Sequence, residues 1–127
     1  MSQLTPSDDV QQFICNMVNV FDKGPFKKLR SSDKFSIFPD PGSIFGHTPS
    51  ITAEDDSNRF YVMEVVEAAN MDLDETQLRL EAFAKKSRIS KSIFWIFVPE
   101  GMGDKITKKC ADLGISEHVN RIKELEL

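Results

Sequence analysis

Val10, Phe13, Ile14, Met17, Val18 and Phe21 recur at helical spacing and define the apolar stripe of an amphipathic helix. Ser7 marks its start, because its side chain can accept from free N–H groups, and Asp8 and Asp9 suit the positive end of the helix. Gly24-Pro25 ends it. The basic stretch Lys27 to Ser32 shows no such period and reads as a connection. Phe35-Ser36-Ile37-Phe38 reads as a short strand, closed by a turn at Pro39-Asp40-Pro41-Gly42. Ser50 to Glu54 and Arg59 to Glu67 read as two strands of a hairpin, with Asp55-Asp56-Ser57-Asn58 as a solvent-facing loop between them. Alternation along the second of these puts Phe60, Val62, Glu64 and Val66 on one face, and Tyr61, Met63, Val65 and Glu67 on the other.

Asp72 with Glu75 three positions on has the spacing of a capping box, and opens a helix whose face is Leu73, Gln77, Leu80, Phe83 and Ala84. The run Ile93 to Val98 is apolar without alternation, as expected of a central strand covered on both faces. A further helix from about Asp104 to Leu113 gathers Ile106, Cys110 and Leu113 on one side and stops at Gly114. After Ser116, Leu125 and Leu127 alternate like a strand while Val119 and Ile122 fit a helix poorly, so a short strand or helix docked at the sheet edge is expected. The order is helix, three meandering strands, helix, buried strand, helix and a short final element. The expected class is α/β: one domain over residues 1–127, with a single mixed sheet of four to five strands flanked by helices.

Charge and composition narrow the function classes. A net charge of −4 argues against strong non-specific binding to phosphate backbones, which draws on many Lys and Arg contacts. Basic residues are nonetheless grouped: Lys23, Lys27, Lys28 and Arg30; Lys85, Lys86, Arg88 and Lys91; Lys105, Lys108 and Lys109. Two such groups converging beside a pocket could seat a nucleic-acid backbone, with solvated helix ends as the plain alternative. No signal-like stretch opens the chain and no apolar run could span a bilayer, so a cytoplasmic protein without membrane association is expected. Cys15 and Cys110 have no neighbouring Cys or His at zinc spacing and read as buried free thiols.

The chemistry of interest lies on the hairpin. Gly46-His47-Thr48-Pro49-Ser50-Ile51 leads into one strand, Glu64 sits on the next, Gln77-Leu78 lies on the following helix, and Val98-Pro99 closes the buried strand. Together with the αβββαβ order, this pattern resembles the core of the PD-(D/E)XK restriction-endonuclease-like superfamily, from about Phe35 to Ile115. The resemblance implies a site in which an Asp and a Glu on adjacent strands hold Mg²⁺, with a Lys two residues after the Glu beside the attacking water. In this chain Ser50 stands at the Asp position and Val66 at the Lys position. Glu64 and Gln77, with Ser50 and Val66, are therefore the expected remnant of a catalytic pocket. A satisfied ion pair is the plain alternative for Glu64, and a helix-packing residue for Gln77.

The expected function is a non-catalytic PD-(D/E)XK-like interaction module for nucleic acid or protein, with a homodimer as a candidate state and no cofactor. Lys85, Lys86, Arg88 and Lys91 are the expected contacts to nucleic acid. One alternative is a Mg²⁺-dependent nuclease with a rearranged site, in which Asp40 or Glu67 joins Glu64 as a migrated ligand; solvated surface carboxylates are the plain reading of both. A second is a small regulatory or scaffold protein unrelated to nucleases. His47 and His118 lack a Ser or Cys partner in a nucleophile motif. Gly101-Met102-Gly103 lacks the rest of a phosphate-loop pattern and reads as a strand-to-helix turn.

Overall fold

Ser7 caps the first helix as its sequence implies: its Oγ accepts from the Val10 N–H at 3.3 Å, and α1 runs from Asp8 to Asp22 with Val10, Ile14, Cys15 and Val18 buried. The computed structural model describes residues 6–126. After α1 come β1 (Lys27–Ser31), β2 (Ile51–Glu54), β3 (Phe60–Val65), α2 (Asp74–Ser90), β4 (Ile93–Pro99), α3 (Gly103–Asp112) and β5 (Arg121–Leu125). The strands form one five-stranded mixed sheet in the order β1-β2-β3-β4-β5. The β1–β2 and β2–β3 pairs are antiparallel, and the β3–β4 and β4–β5 pairs are parallel. The chain is thus an α/β fold, and no described helix is long and apolar enough to cross a membrane.

Two cores lie on the two faces of the sheet, because the period-2 geometry of β3 divides its side chains between them. Val62 and Val66 join Leu80, Phe83, Phe94, Ile96, Ile106 and Cys110 under α2 and α3. Tyr61, Met63 and Val65 join Val10, Ile14, Val18 and Ile51 under α1. Beside α1, Phe26, Tyr61 and Trp95 meet edge to face, with centroids 5.0 to 6.1 Å apart. Cys15 and Cys110 are free and buried; burial pushes the Cys110 thiol up to about 11.

Three expectations are corrected. Phe35–Phe38 is no strand. The buried Asp33 carboxylate accepts from the Phe35 and Ser36 N–H groups at 3.0 and 2.7 Å and from the Ser31 and Ser36 hydroxyls. The chain therefore turns there and leaves Ile37 97% exposed. The first strand is instead Lys27–Ser31, assigned to a connection by its basic composition. It is an edge strand, where charged residues are tolerated, and an irregularity between Lys27 and Arg30, with Lys28 at φ 53°, breaks its alternation.

The capping box at Asp72 is not formed. The helix begins at Asp74 with Leu73 as an unassisted cap, while Asp72 accepts from Lys105 and Lys109 of α3 at 2.9 and 3.0 Å. This carboxylate is thereby drawn to the ammonium groups of α3 rather than to the backbone at the start of its own helix. Leu73 is accordingly exposed, and the buried face of α2 is Thr76, Leu80, Phe83, Ala84 and Ser87. Third, the hairpin loop does not turn all its side chains to solvent. Asp55 is buried and accepts from the Ser57 and Arg59 N–H groups, Arg59 Nε and the Tyr61 hydroxyl at 2.7 to 3.0 Å. The tail takes the strand alternative as β5, while Leu127 lies outside the described residues.

The connection from β1 to β2 contains one tight turn of consequence. Ile44 and His47 exchange backbone hydrogen bonds at 2.8 and 3.1 Å across Phe45 and Gly46, both at positive φ (49° and 86°). Gly46 takes this conformation freely, whereas for Phe45 it costs about 1–2 kcal/mol. Phe45 is also 51% exposed, so no burial offsets that cost fully.

Candidate functional site

Ile51 of β2 faces Met63 of β3 in the antiparallel register, which sets Ser50 opposite Glu64. Glu64 Oε1 accepts from both the Ser50 N–H (3.0 Å) and Ser50 Oγ (2.9 Å), and the Val65 N–H donates to Ser50 Oγ at 3.1 Å. From α2, Arg79 closes on the same carboxylate: Nε donates to Oε2 at 2.7 Å and Nη2 to Oε1 at 3.1 Å. Nη2 also donates to the Thr48 carbonyl at 2.6 Å, and the guanidinium lies 5.4 Å from the Phe83 ring centroid. Glu64 is 4% exposed and the Arg79 side chain 14%. A buried carboxylate is tolerated when it is both paired and hydrogen-bonded, and the two-point guanidinium geometry supplies both.

These residues form one wall of a cleft of about 440 Å³. The loop between β1 and β2 supplies another wall through Asp33, Asp40, His47 and Thr48, and Glu67, Asn70 and Glu75 complete it. The cleft brings Ser50, Glu64 and Val66 together, as their strand positions require. Val66 faces it beside Glu64, but also belongs to the core under α2, and its N–H is taken by the Phe97 carbonyl at 2.9 Å. Gln77 is not part of the lining. At about 100° per helical residue Gln77 and Arg79 flank the direction of Thr76, Leu80 and Phe83 on opposite sides, and it is the Arg79 side that meets Glu64. Arg79 is the residue of this candidate site that sequence reasoning missed. Its signal was available: a Glu interrupting the apolar face of β3 needs a cation, and Arg79 lies three residues after Thr76 and four before Phe83 on the packed face of α2.

Asp40 and Glu67 both line the cleft with Glu64. Asp40 is exposed and its carbonyl accepts from Arg30; the Glu67 carboxylate accepts from the Ser7 N–H at 3.1 Å and Asn70 Nδ2 at 3.2 Å. Among the described residues no three His, Cys, Asp or Glu side chains are grouped to hold a metal ion. A divalent hard cation needs several converging oxygens, whereas here four N–H and O–H donors converge on one carboxylate. Glu64 thus offers its oxygens to a guanidinium and a serine rather than to Mg²⁺. The lining carries five carboxylates against the cations Lys34 and Arg79, so the cleft is acidic.

Lys85, Lys86, Arg88 and Lys91 lie beyond the cleft, on the last turns and cap of α2. At about 1.5 Å per residue they are roughly 9 to 18 Å from Arg79 along the helix. Lys85 Nζ sits 4.5 Å from the Phe45 ring centroid, and Lys86 Nζ 5.7 Å from that of Phe60. The third basic group is largely neutralised, with Lys105 and Lys109 on Asp72 and Lys108 on Asp112. Comparisons with protein-family models, with curated proteins and with solved structures each return no match.

Proposed function

We propose that this domain is a non-catalytic relative of the PD-(D/E)XK nucleases that serves as an interaction module, with the Arg79 guanidinium standing where the resemblance would put a metal ion. The observation that carries this reading is the Ser50–Glu64–Arg79 network. The one carboxylate kept at the expected place has its oxygens engaged by four donors, and its charge is balanced from within the chain. The element order α1-β1-β2-β3-α2-β4 is the order the resemblance implies, and supports the same reading. Val66 adds to it: an apolar group packed into the core cannot orient or polarise a water molecule.

Incubation with single- and double-stranded DNA and RNA in Mg²⁺ and in Mn²⁺ tests the proposal. No cleavage is expected under any of these conditions. Reproducible cleavage that disappears in Glu64→Ala would overturn it, and would favour a rearranged metal site drawing on Asp40 or Glu67, which share the cleft with Glu64.

A further inference from the structure

We infer that the surface running from the groove beside β1 to the second half of α2 binds single-stranded nucleic acid, with Phe60 and Phe45 as stacking surfaces and Arg30, Lys85 and Lys86 as phosphate contacts. Phe60, at the start of β3, is the junction. Its ring lines a shallow groove of about 320 Å³ with Lys28 and Arg30 of β1 and with Glu54 of β2, whose charge Lys28 balances, and Lys86 of α2 approaches the same ring. One residue earlier on α2, Lys85 lies over Phe45, whose ring is half exposed at the tip of its turn. Two basic segments far apart in sequence thus meet at Phe60, and Lys85 carries the basic surface on to Phe45, outside the acidic cleft.

Each feature alone is ordinary. Cations gather at helix C-termini, and single exposed aromatics are common. Their combination is what points to a ligand. Among the described residues Arg30, Lys85 and Lys86 form no ion pair with a carboxylate, although the chain as a whole is acidic; Lys28 alone is paired, with Glu54. Phe45 occupies a left-handed backbone position that Asn or Gly would hold at less cost, so the ring brings no benefit to the turn itself. A strand of nucleotides uses both kinds of group, bases on rings and phosphates on cations. An acidic peptide would satisfy only the cations.

This inference deepens the interaction-module reading and rests on it for the absence of cleavage alone. The test is fluorescence anisotropy with a labelled oligothymidylate of about 12 nucleotides, inside the ~4–16 nucleotide range of single-strand sites. Unlabelled oligouridylate, duplex DNA, polyglutamate and anionic vesicles serve as competitors. Salt-dependent binding is expected, displaced by single-stranded DNA or RNA and poorly by the other three. Phe45→Asn should weaken it roughly five- to hundredfold, as loss of one stacking contact does. The same variant should melt no lower than the parent, which separates lost binding from lost folding. Lys85→Gln with Lys86→Gln should flatten the salt slope by about 1.4, at roughly 0.7 per phosphate contact. Absence of binding at low salt, equal displacement by polyglutamate, vesicles or duplex, or indifference to these substitutions would each overturn the inference. Cleavage of the bound strand lost in Glu64→Ala would instead sink the non-catalytic reading and leave the groove standing.

Discussion

Removing the guanidinium of Arg79 would leave Ser50 as the one donor to Glu64 among the described residues, on a carboxylate only 4% exposed. Arg79→Ala is therefore expected to cost about 3–5 kcal/mol in urea unfolding, the range for orphaning one member of a buried pair. Arg79→Ala with Glu64→Gln should cost less than Arg79→Ala alone, because no unpaired charge is then buried; an additive result would show that the two do not interact. Asp55 makes a second residue-scale test. Burial works against its charge, but the Arg59 N–H, the Tyr61 hydroxyl and the Arg59 guanidinium outweigh this and hold its carboxyl at about 2. Its folded value lies below the unfolded one of about 3.9, so its contribution is full above pH ~4 and is lost as pH falls towards ~2. Asp55→Asn should abolish that part of the acid sensitivity. Tyr61 reports the same contact from the other side: burial, then the Asp55 carboxylate, raises its hydroxyl. As the only tyrosine in the chain, it can be followed by phenolate absorbance, and its titration should move down in Asp55→Asn.

Helical period made α1 and α3 legible, strand alternation did so for β3, and an unbroken apolar run did so for β4, because the buried stripe or face of each survives in the sequence. The elements misread were those governed by side chains acting at a distance. Lys27–Ser31 buries only Leu29 and Ser31, so its strand character comes from its partner β2, while Phe35–Phe38 was folded back by Asp33. The start of α2 shifted because Asp72 serves α3 instead. The same reasoning covers the Ile44–His47 turn, where local preference and local structure disagree. Phe45→Asn should raise stability by about 1 kcal/mol by relieving the left-handed Phe, measured as a shift in thermal midpoint. A drop would mean that the Lys85–Phe45 contact outweighs the backbone cost.

Across the whole molecule, one sheet with a core on each face carries the site at the open end of the β2–β3 pair, where α2 can reach it. Phe83 and Phe94 anchor the α2 side, both fully buried with centroids 5.8 Å apart. Phe83→Ala should cost about 3–5 kcal/mol, and would loosen the helix that carries Arg79 as well. The site was half legible: strand geometry placed Ser50, Glu64 and Val66 in one hollow, but the identity of the group facing them depended on the rotation of α2, which a displaced capping residue had obscured. The central claim is that this hollow is balanced internally and has no vacancy for a divalent cation. Calorimetric titration with Mn²⁺ tests it most directly, on the parent chain and on the Ser50→Asp, Arg79→Ala double variant. No binding heat is expected from the parent at millimolar Mn²⁺, and measurable binding is expected once a second carboxylate replaces Ser50 and the guanidinium is gone. Saturable binding by the parent that vanishes in Glu64→Ala would contradict it.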